Sequence, residues 1–218
     1  MSYKFFILCL AISTTFTSCA QKSDKLKKEI KSEQNNLQAN PGEALATFAS
    51  GCFWCVEEIF ESLKGVREVH SGYAGGKAED ANYDAVSSGR TDHAECVQIY
   101  YNPAEISFDQ LTAAFFVGQD PTTPNQQGPD RGTQYRSIAF YRSAAEKEII
   151  LNEINRLNRS GIYNKPIVTE VLPFSVFYMA EDYHQNFVAN HPNQGYVQAV
   201  SIPRFEKFKR EFKGIFKK

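Results

Sequence analysis

Long apolar runs are scarce in these 218 residues. The longest continuous one, residues 5–12, falls far short of the ~18 that a bilayer-spanning helix requires. Tryptophan occurs once and histidine four times, and no internal repeat is visible. Five cysteines are too few for a disulfide scaffold, and their odd number leaves at least one thiol to be explained separately. Charge of either sign is not in excess. With 24 Lys+Arg against 25 Asp+Glu, the net charge of −1 removes the broad basic field that non-specific nucleic-acid binding needs. What is present is ordinary: 42% hydrophobic and 22% charged residues exclude disorder, collagen and coiled coil as the main state. The length suits one domain with some tail.

The N-terminus reads as an export signal. Lys4 precedes the apolar residues 5–12, and polar and small residues follow. The stretch Phe16-Thr17-Ser18-Cys19 resembles a bacterial lipobox, in which cleavage precedes a cysteine that then receives lipid. Residues 1–18 are therefore expected to be a lipoprotein signal, with Cys19 the lipid anchor. Residues 19–43 are rich in Lys, Glu, Gln and Asn and close on Asn40-Pro41-Gly42, the composition of a flexible tether. The expected location is outside the cytoplasm, on a bacterial membrane facing the periplasm or the cell surface.

Beyond residue 44, short β-rich runs alternate with helical ones. Strands are expected at 45–49, 66–73, 95–101, 137–141 and 168–172. Helices are expected at 52–63, 108–117, 181–190 and 204–216. Ser143-Ala144-Ala145-Glu146 has the form of a capping box opening a further helix that runs to about residue 160. This alternation indicates a two-layer α/β or α+β domain of about 160 residues, spanning 44–218 with its basic C-terminal helix. Residues 118–135 show no periodicity, and loops this long in compact domains are mostly functional.

Gly51-Cys52-Phe53-Trp54-Cys55 carries the most chemical information. It follows a strand and opens a helix, so unpaired N–H groups and the positive end of the dipole should stabilise a Cys52 thiolate. The spacing C-x-x-C by itself reads as a thioredoxin-like redox motif, but an aromatic pair between the thiols builds an apolar surface beside the nucleophile. A zinc half-site would need a second Cys or His pair at ligand spacing, and Cys96 and the four histidines supply none.

Four further blocks occur in order: Ser71-Gly72-Tyr73-Ala74-Gly75-Gly76, His93-Ala94-Glu95, Gly132-Thr133-Gln134-Tyr135-Arg136-Ser137 and Ala180-Glu181-Asp182-Tyr183-His184-Gln185. With Gly51-Cys52-Phe53-Trp54 they resemble the A-class peptide methionine sulfoxide reductases over residues 45–195. The resemblance implies an enzyme that reduces the S-epimer of methionine sulfoxide, free or in oxidised proteins and peptides. Cys52 matches the nucleophile and Glu95 the acid that protonates the sulfoxide oxygen. Tyr83 and Tyr135 match hydroxyls that hydrogen-bond that oxygen, Phe53 and Trp54 the pocket for the substrate's methyl group, and Asp130 a contact to its backbone. Asp182 and His184 lie in a matching block and read as packing and hydrogen-bonding residues. The resemblance implies no prosthetic group or metal, only an external thiol reductant, thioredoxin or similar. The expected fold is α+β, a two-layer sandwich of ferredoxin-like type with a mixed sheet and long functional loops. The protein is expected to be a monomer.

Three departures matter. Many relatives carry recycling cysteines after a Gly-Tyr pair, whereas Gly195-Tyr196 here precedes residues without cysteine. Cys55 stands where glycine is common and is the candidate resolving thiol. Cys96 competes, but strand alternation turns it away from Glu95. Direct reduction of the sulfenic acid by an external thiol is the third route. Asp92 replaces the usual glycine before His93, which bears on the local turn. A general disulfide oxidoreductase using the same two cysteines, and a lipoprotein keeping the fold as a binding module, are the competing functions.

Overall fold

The computed structural model describes residues 38–218. The expected signal at 1–18, the Cys19 anchor and most of the tether lie outside the described residues. Residues 41–218 form one compact unit.

Its frame is a mixed six-stranded sheet. In chain order the strands are β1 (Ala44–Ser50), β2 (Val66–Ala74), β3 (Ala94–Tyr101), then a two-residue pair, β4 (Gln126–Gln127) with β5 (Asp130–Arg131), followed by β6 (Ser137–Tyr141), β7 (Glu170–Pro173) and β8 (Phe177–Met179). The sheet order is β7-β6-β1-β3-β2-β8. Only β6 and β7 run parallel; the remaining pairs are antiparallel. The helices are α1 (Phe53–Glu61), α2 (Tyr83–Ser87), α3 (Phe108–Val117), α4 (Ala144–Ser160), α5 (Phe187–Asn190) and α6 (Ile202–Glu211).

Strand alternation sends Ala46 and Phe48 to one face of the sheet and Thr47 to the other. Phe48 is fully buried and stacks on Phe60 of α1 at 5.7 Å, and on Phe108 and Phe115 of α3 at 5.9 and 4.8 Å. Both helices therefore close over one strand residue. Helical spacing puts Val56, Ile59 and Phe60 on the buried side of α1. A full capping box, Ser107 with Gln110, starts α3.

The expected box at α4 is half formed. Ser143 accepts from Glu146 N, but the Glu146 carboxylate reaches past it to the N–H of Arg142 at 2.6 Å. Gly161 ends α4 at φ 71, the left-handed conformation that glycine takes at least cost.

Three expectations need correction. The helix expected at 181–190 is broken into a 3-10 turn at Asp182–His184 and the short α5. Gln185 causes the break: its amide accepts from Ser71 N at 3.0 Å and donates to Ser71 O and Ala180 O at 3.0 and 2.9 Å. Asn186 then turns left-handed at φ 53, its N–H donated to Glu57. The expected helix at 204–216 instead starts at Ile202 and stops at Glu211. Beyond it the chain returns to α1, where Lys64 N donates to Ile215 O and Lys217 N to Ser62 O. Phe208, Phe212 and Phe216 still cluster, so their helical spacing serves packing although the backbone leaves the helix. The strand expected at 168–172 is shifted to β7, and β8 and α2 carried no periodic signal.

Phe48→Ala removes the ring on which both helices stack and should lower unfolding free energy by about 3–5 kcal/mol. Urea denaturation followed by circular dichroism measures it; a loss below ~1 kcal/mol would show that the helices are held otherwise.

Candidate active site

The β1–α1 junction builds the centre of the site. Gly51 adopts φ 85, and a Cβ there would meet Gln127 Cβ at 2.5 Å. Only glycine lets the β4–β5 hairpin lie against this turn. Cys52 caps α1 without a side-chain hydrogen bond to the helix. The first N–H of the helix, that of Phe53, donates to Glu95 Oε2 at 3.0 Å. That bond satisfies one of the unpaired donors of a helix start with a carboxyl group from β3.

A cavity of about 190 Å3 opens here, lined by Cys52, Phe53, Trp54, Tyr83, Glu95, Asp130, Tyr135 and Tyr196. All four expected catalytic residues and all three expected substrate contacts are thus brought together. Cys55 sits one helical turn behind Cys52, buried, and the two sulfurs hydrogen-bond each other. Cys96, on the opposite sheet face from Glu95, is fully buried and away from the cavity.

Electrostatics divide the groups. Burial pushes the Glu95 carboxyl up to about 8, against the Phe53 hydrogen bond and reinforced by the charge of Asp130. It is therefore neutral at pH 7 and holds a proton to give. Burial also pushes the Cys52 thiol up, with Cys55 and Glu95 adding to the shift. Desolvation and two acidic neighbours thus oppose the dipole stabilisation expected for a Cys52 thiolate. The Cys55 thiol is lowered to about 6 by its hydrogen bond with Cys52, against its own burial, with help from the Arg204 charge and the Ser201 hydroxyl. Burial raises Tyr83 and Tyr135, so both remain hydroxyl donors.

The aromatic wall is braced from behind. Trp54 stacks on Phe187 at 3.7 Å and donates its indole N–H to His184 Nδ1 at 3.1 Å. His184 also packs against Phe53 and Tyr83 at 5.0 and 4.4 Å. Asp182 lies in the 3-10 turn that delivers this histidine. Glu181 ties Tyr73 Oη and Tyr83 N, each at 2.9 Å. Asp92 accepts Arg136 Nη2 on its carbonyl at 2.8 Å, a backbone contact indifferent to its side chain.

Tyr196 was missed as a site residue. Its hydroxyl donates to Asp130 Oδ2 at 2.5 Å and reaches both sulfurs. In the sequence it is only half of a landmark Gly-Tyr pair, because nothing local marks a tyrosine as facing a cleft about 140 positions earlier in the chain. Ser201 and Arg204 carried no signal either.

Residues 44–215 match the family model for peptide methionine sulfoxide reductase. A relative from Rhodopirellula baltica, peptide methionine sulfoxide reductase MsrA 1, is 46% identical over 181 residues, covering 83% of this chain and 93% of that one. The crystal structure of Mxr1 from Saccharomyces cerevisiae in reduced form is 35% identical, covers 72% of this chain and 91% of that one, and superposes with a TM-score of 0.68. Methionine sulfoxide reductase A of Corynebacterium diphtheriae is 32% identical, covers 71% and 78%, and has a TM-score of 0.63. A neutral buried carboxyl beside a thiol pair, in a cleft walled by Phe53 and Trp54, sits within these matched residues; the chain belongs to the peptide methionine sulfoxide reductase family, with relatives of the MsrA type.

Proposed function

We propose that the protein reduces the S-epimer of methionine sulfoxide, free or within oxidised proteins and peptides, with Cys52 as nucleophile and Glu95 as acid. The observation that carries this reading is the neutral Glu95 carboxyl facing the Cys52 sulfur in a cavity sized for one side chain. Phe53 and Trp54 offer apolar contact to the methyl group of the sulfoxide. Glu95, Tyr83 and Tyr135 offer the donors its oxygen needs once out of water. Asp130, steadied by Tyr196, is suited to a backbone N–H of the substrate.

As the Cys52 sulfur attacks the sulfoxide sulfur, the proton between the two cysteines passes to Cys55 and Glu95 protonates the oxygen. Oxygen ends on Cys52 as a sulfenic acid, methionine leaves, and the substrate sulfur has been reduced by two electrons. Cys55 then displaces water to form the Cys52–Cys55 disulfide. Thioredoxin or a thioredoxin-like dithiol reduces it and restores both thiols. A general disulfide oxidoreductase would use the same cysteines but has no use for a neutral acid at the nucleophile, which favours the sulfoxide.

Residues 1–18 act as a lipoprotein signal, Cys19 carries lipid, and 19–43 tether the catalytic domain, 44–218, to a membrane facing the periplasm or cell surface. What supports this is the lipobox-like Phe16-Thr17-Ser18-Cys19 and the polar composition after it. Among the described residues no helix is long and apolar enough to cross a membrane. The domain works as a monomer, and its reductant acts in the same compartment. The inner four strands, ordered β6-β1-β3-β2 with α1 and α3 on one face, support a ferredoxin-like two-layer reading. Intact-mass measurement of the mature protein tests the anchor: cleavage before Cys19 with added acyl chains is expected, and an uncleaved or unacylated chain refutes it.

With chiral methionine sulfoxide peptides and dithiothreitol, wild type should consume the S-epimer and Cys52→Ser should not; equal turnover ends the assignment. Cys55→Ser should release one equivalent of methionine but lose thioredoxin-dependent turnover, and unimpaired turnover would remove Cys55 from the cycle.

Glu95→Gln should lower kcat by ~10²–10⁴-fold, the range for a lost general acid. Wild-type activity should fall above about pH 8 as the carboxyl ionises. The same substitution should stabilise the fold. An acid raised from 4.5 to about 8 on folding contributes no penalty below pH 4.5, and stability is lost as pH rises from there towards 8. The advantage of Glu95→Gln over wild type should therefore be absent near pH 4 and grow to on the order of 4 kcal/mol by pH 8. A pH-independent difference in urea denaturation would rule out a buried neutral carboxyl.

A further inference from the structure

The chain returns to the two sulfurs through an irregular segment that the reaction scheme leaves unused. Tyr196 is followed by a π-helical turn, Val197–Ser201, leading directly into α6. A π turn widens the helix, and such turns are frequent at functional sites. Here it carries two residues five apart to the two cysteines. Tyr196 lines the Cys52 cavity, and Ser201, fully buried, brings its hydroxyl to 3.1 Å from Cys55 Sγ. Three residues on, Arg204 is clamped in place, with Nε donating to Gly118 O and Nη2 to Ser50 O, both at 2.8 Å. Its guanidinium is thereby fixed beside the Gly51 turn, with Nη1 3.6 Å from where a Gly51 Cβ would stand. Among the described residues this cation, held rigidly against the start of α1, forms no salt bridge: its hydrogen bonds go to neutral carbonyl oxygens and the Ser50 hydroxyl, and its charge is felt by Asp130 as well as by Cys55.

We infer that Ser201 and Arg204 are positioning residues for Cys55, holding its sulfur against Cys52 so that it closes on the oxidised nucleophile. The inference rests on Cys55 being the resolving thiol. In that step the Cys55 sulfur attacks the Cys52 sulfenic sulfur, an S–S bond forms and the S–O bond breaks. The leaving hydroxyl takes up the proton lost from Cys55 and departs as water. Cys55 is oxidised by the sulfenic acid that the first step produced, so no further oxidant is needed. The Ser201 hydroxyl accepts from the thiol and donates to the thiolate, and Arg204 favours the thiolate by charge. The other titratable groups facing Cys55 are Cys52 on α1, whose sulfenic hydroxyl can donate in place of its S–H, Glu95 on β3, and Tyr196. None of these is substituted in the test; Arg204→Gln also removes a charge that lowers Asp130, and Ser201→Ala leaves that charge in place.

The test separates charge tuning from simple misplacement. Wild type, Ser201→Ala, Arg204→Gln and the double variant are mixed with one equivalent of a methionine sulfoxide peptide without reductant. Methionine release and loss of the two thiols are timed between pH 5 and 9. Thiolate fraction rises with pH, whereas intrinsic nucleophilicity falls as the thiol pKa falls, with a slope of ~0.4–0.5. The hydrogen bond from residue 52 remains in every variant, so losing the Ser201 hydroxyl and the Arg204 charge should raise the Cys55 thiol only part of the way back; each tenfold loss of thiol acidity should slow closure about threefold near pH 5.5 and speed it about threefold near pH 9. The curves should cross, closure should change more than methionine release, and Ser201→Thr should keep the wild-type profile. Equal slowing at every pH, or no change, overturns the inference. Ser201→Ala suffices should the Arg204 variants fail to fold. In Cys55→Ser, an internal disulfide that still closes on Cys52 would sink the resolving role of Cys55 and this proposal with it.

Discussion

The hydrogen bond from Phe53 N–H to the Glu95 carboxyl joins the start of α1 to β3, and the chemistry of the site follows from burying it. An exposed carboxylate at a helix N-terminus would be held ionised by the dipole and by that N–H. Glu95 is only 2% exposed, and desolvation outweighs the bond, so the group stays protonated at neutral pH. The same desolvation pushes the Cys52 thiol up, so Glu95 and Cys52 are both biased towards their neutral forms. One bond therefore orients the acid, closes the helix end and fixes how far the acid lies from the sulfur.

Around that bond the walls are fastened by groups that do no chemistry. His184 accepts the Trp54 indole N–H, and Phe187 stacks against the other side of the ring. Glu181 ties β2 to the first residue of α2 and so sets Tyr83 at the cavity rim. These braces come from the segment where Gln185 and Asn186 break the expected helix. Had that segment remained helical, His184 could not be presented by a 3-10 turn. The irregular backbone is what sets the aromatic pair.

Cys52, Glu95 and Tyr135 were legible in the sequence within ordered blocks, Tyr83 only through the family resemblance, and the strand–helix junction that carries Cys52 was legible from periodicity. Cys96 was placed on the far side of the sheet by alternation alone, because successive strand side chains point oppositely whatever the rest of the chain does. Tyr196, Ser201 and Arg204 were not legible. Their positions follow from a π turn and from the packing of α6 on α1, and neither has a local pattern of charge or hydrophobicity. The direction of the thiol shifts was likewise hidden, since the helix dipole is visible from a motif and burial is not.

The sequence by itself determined that this chain has a strand-to-helix turn carrying two thiols around an aromatic pair, a carboxyl on a later strand, and the family to which those blocks belong. Local rules suffice for these, because spacing and alternation act within a few residues. Only the tertiary structure decided what surrounds each thiol. Cys52 is desolvated against Glu95, while the charge of Arg204, about 150 residues further along the chain and clamped to Gly118 and Ser50, acts on Cys55. Electrostatic free energies are sums over neighbours in space, and neighbours in space exist only once the chain has folded.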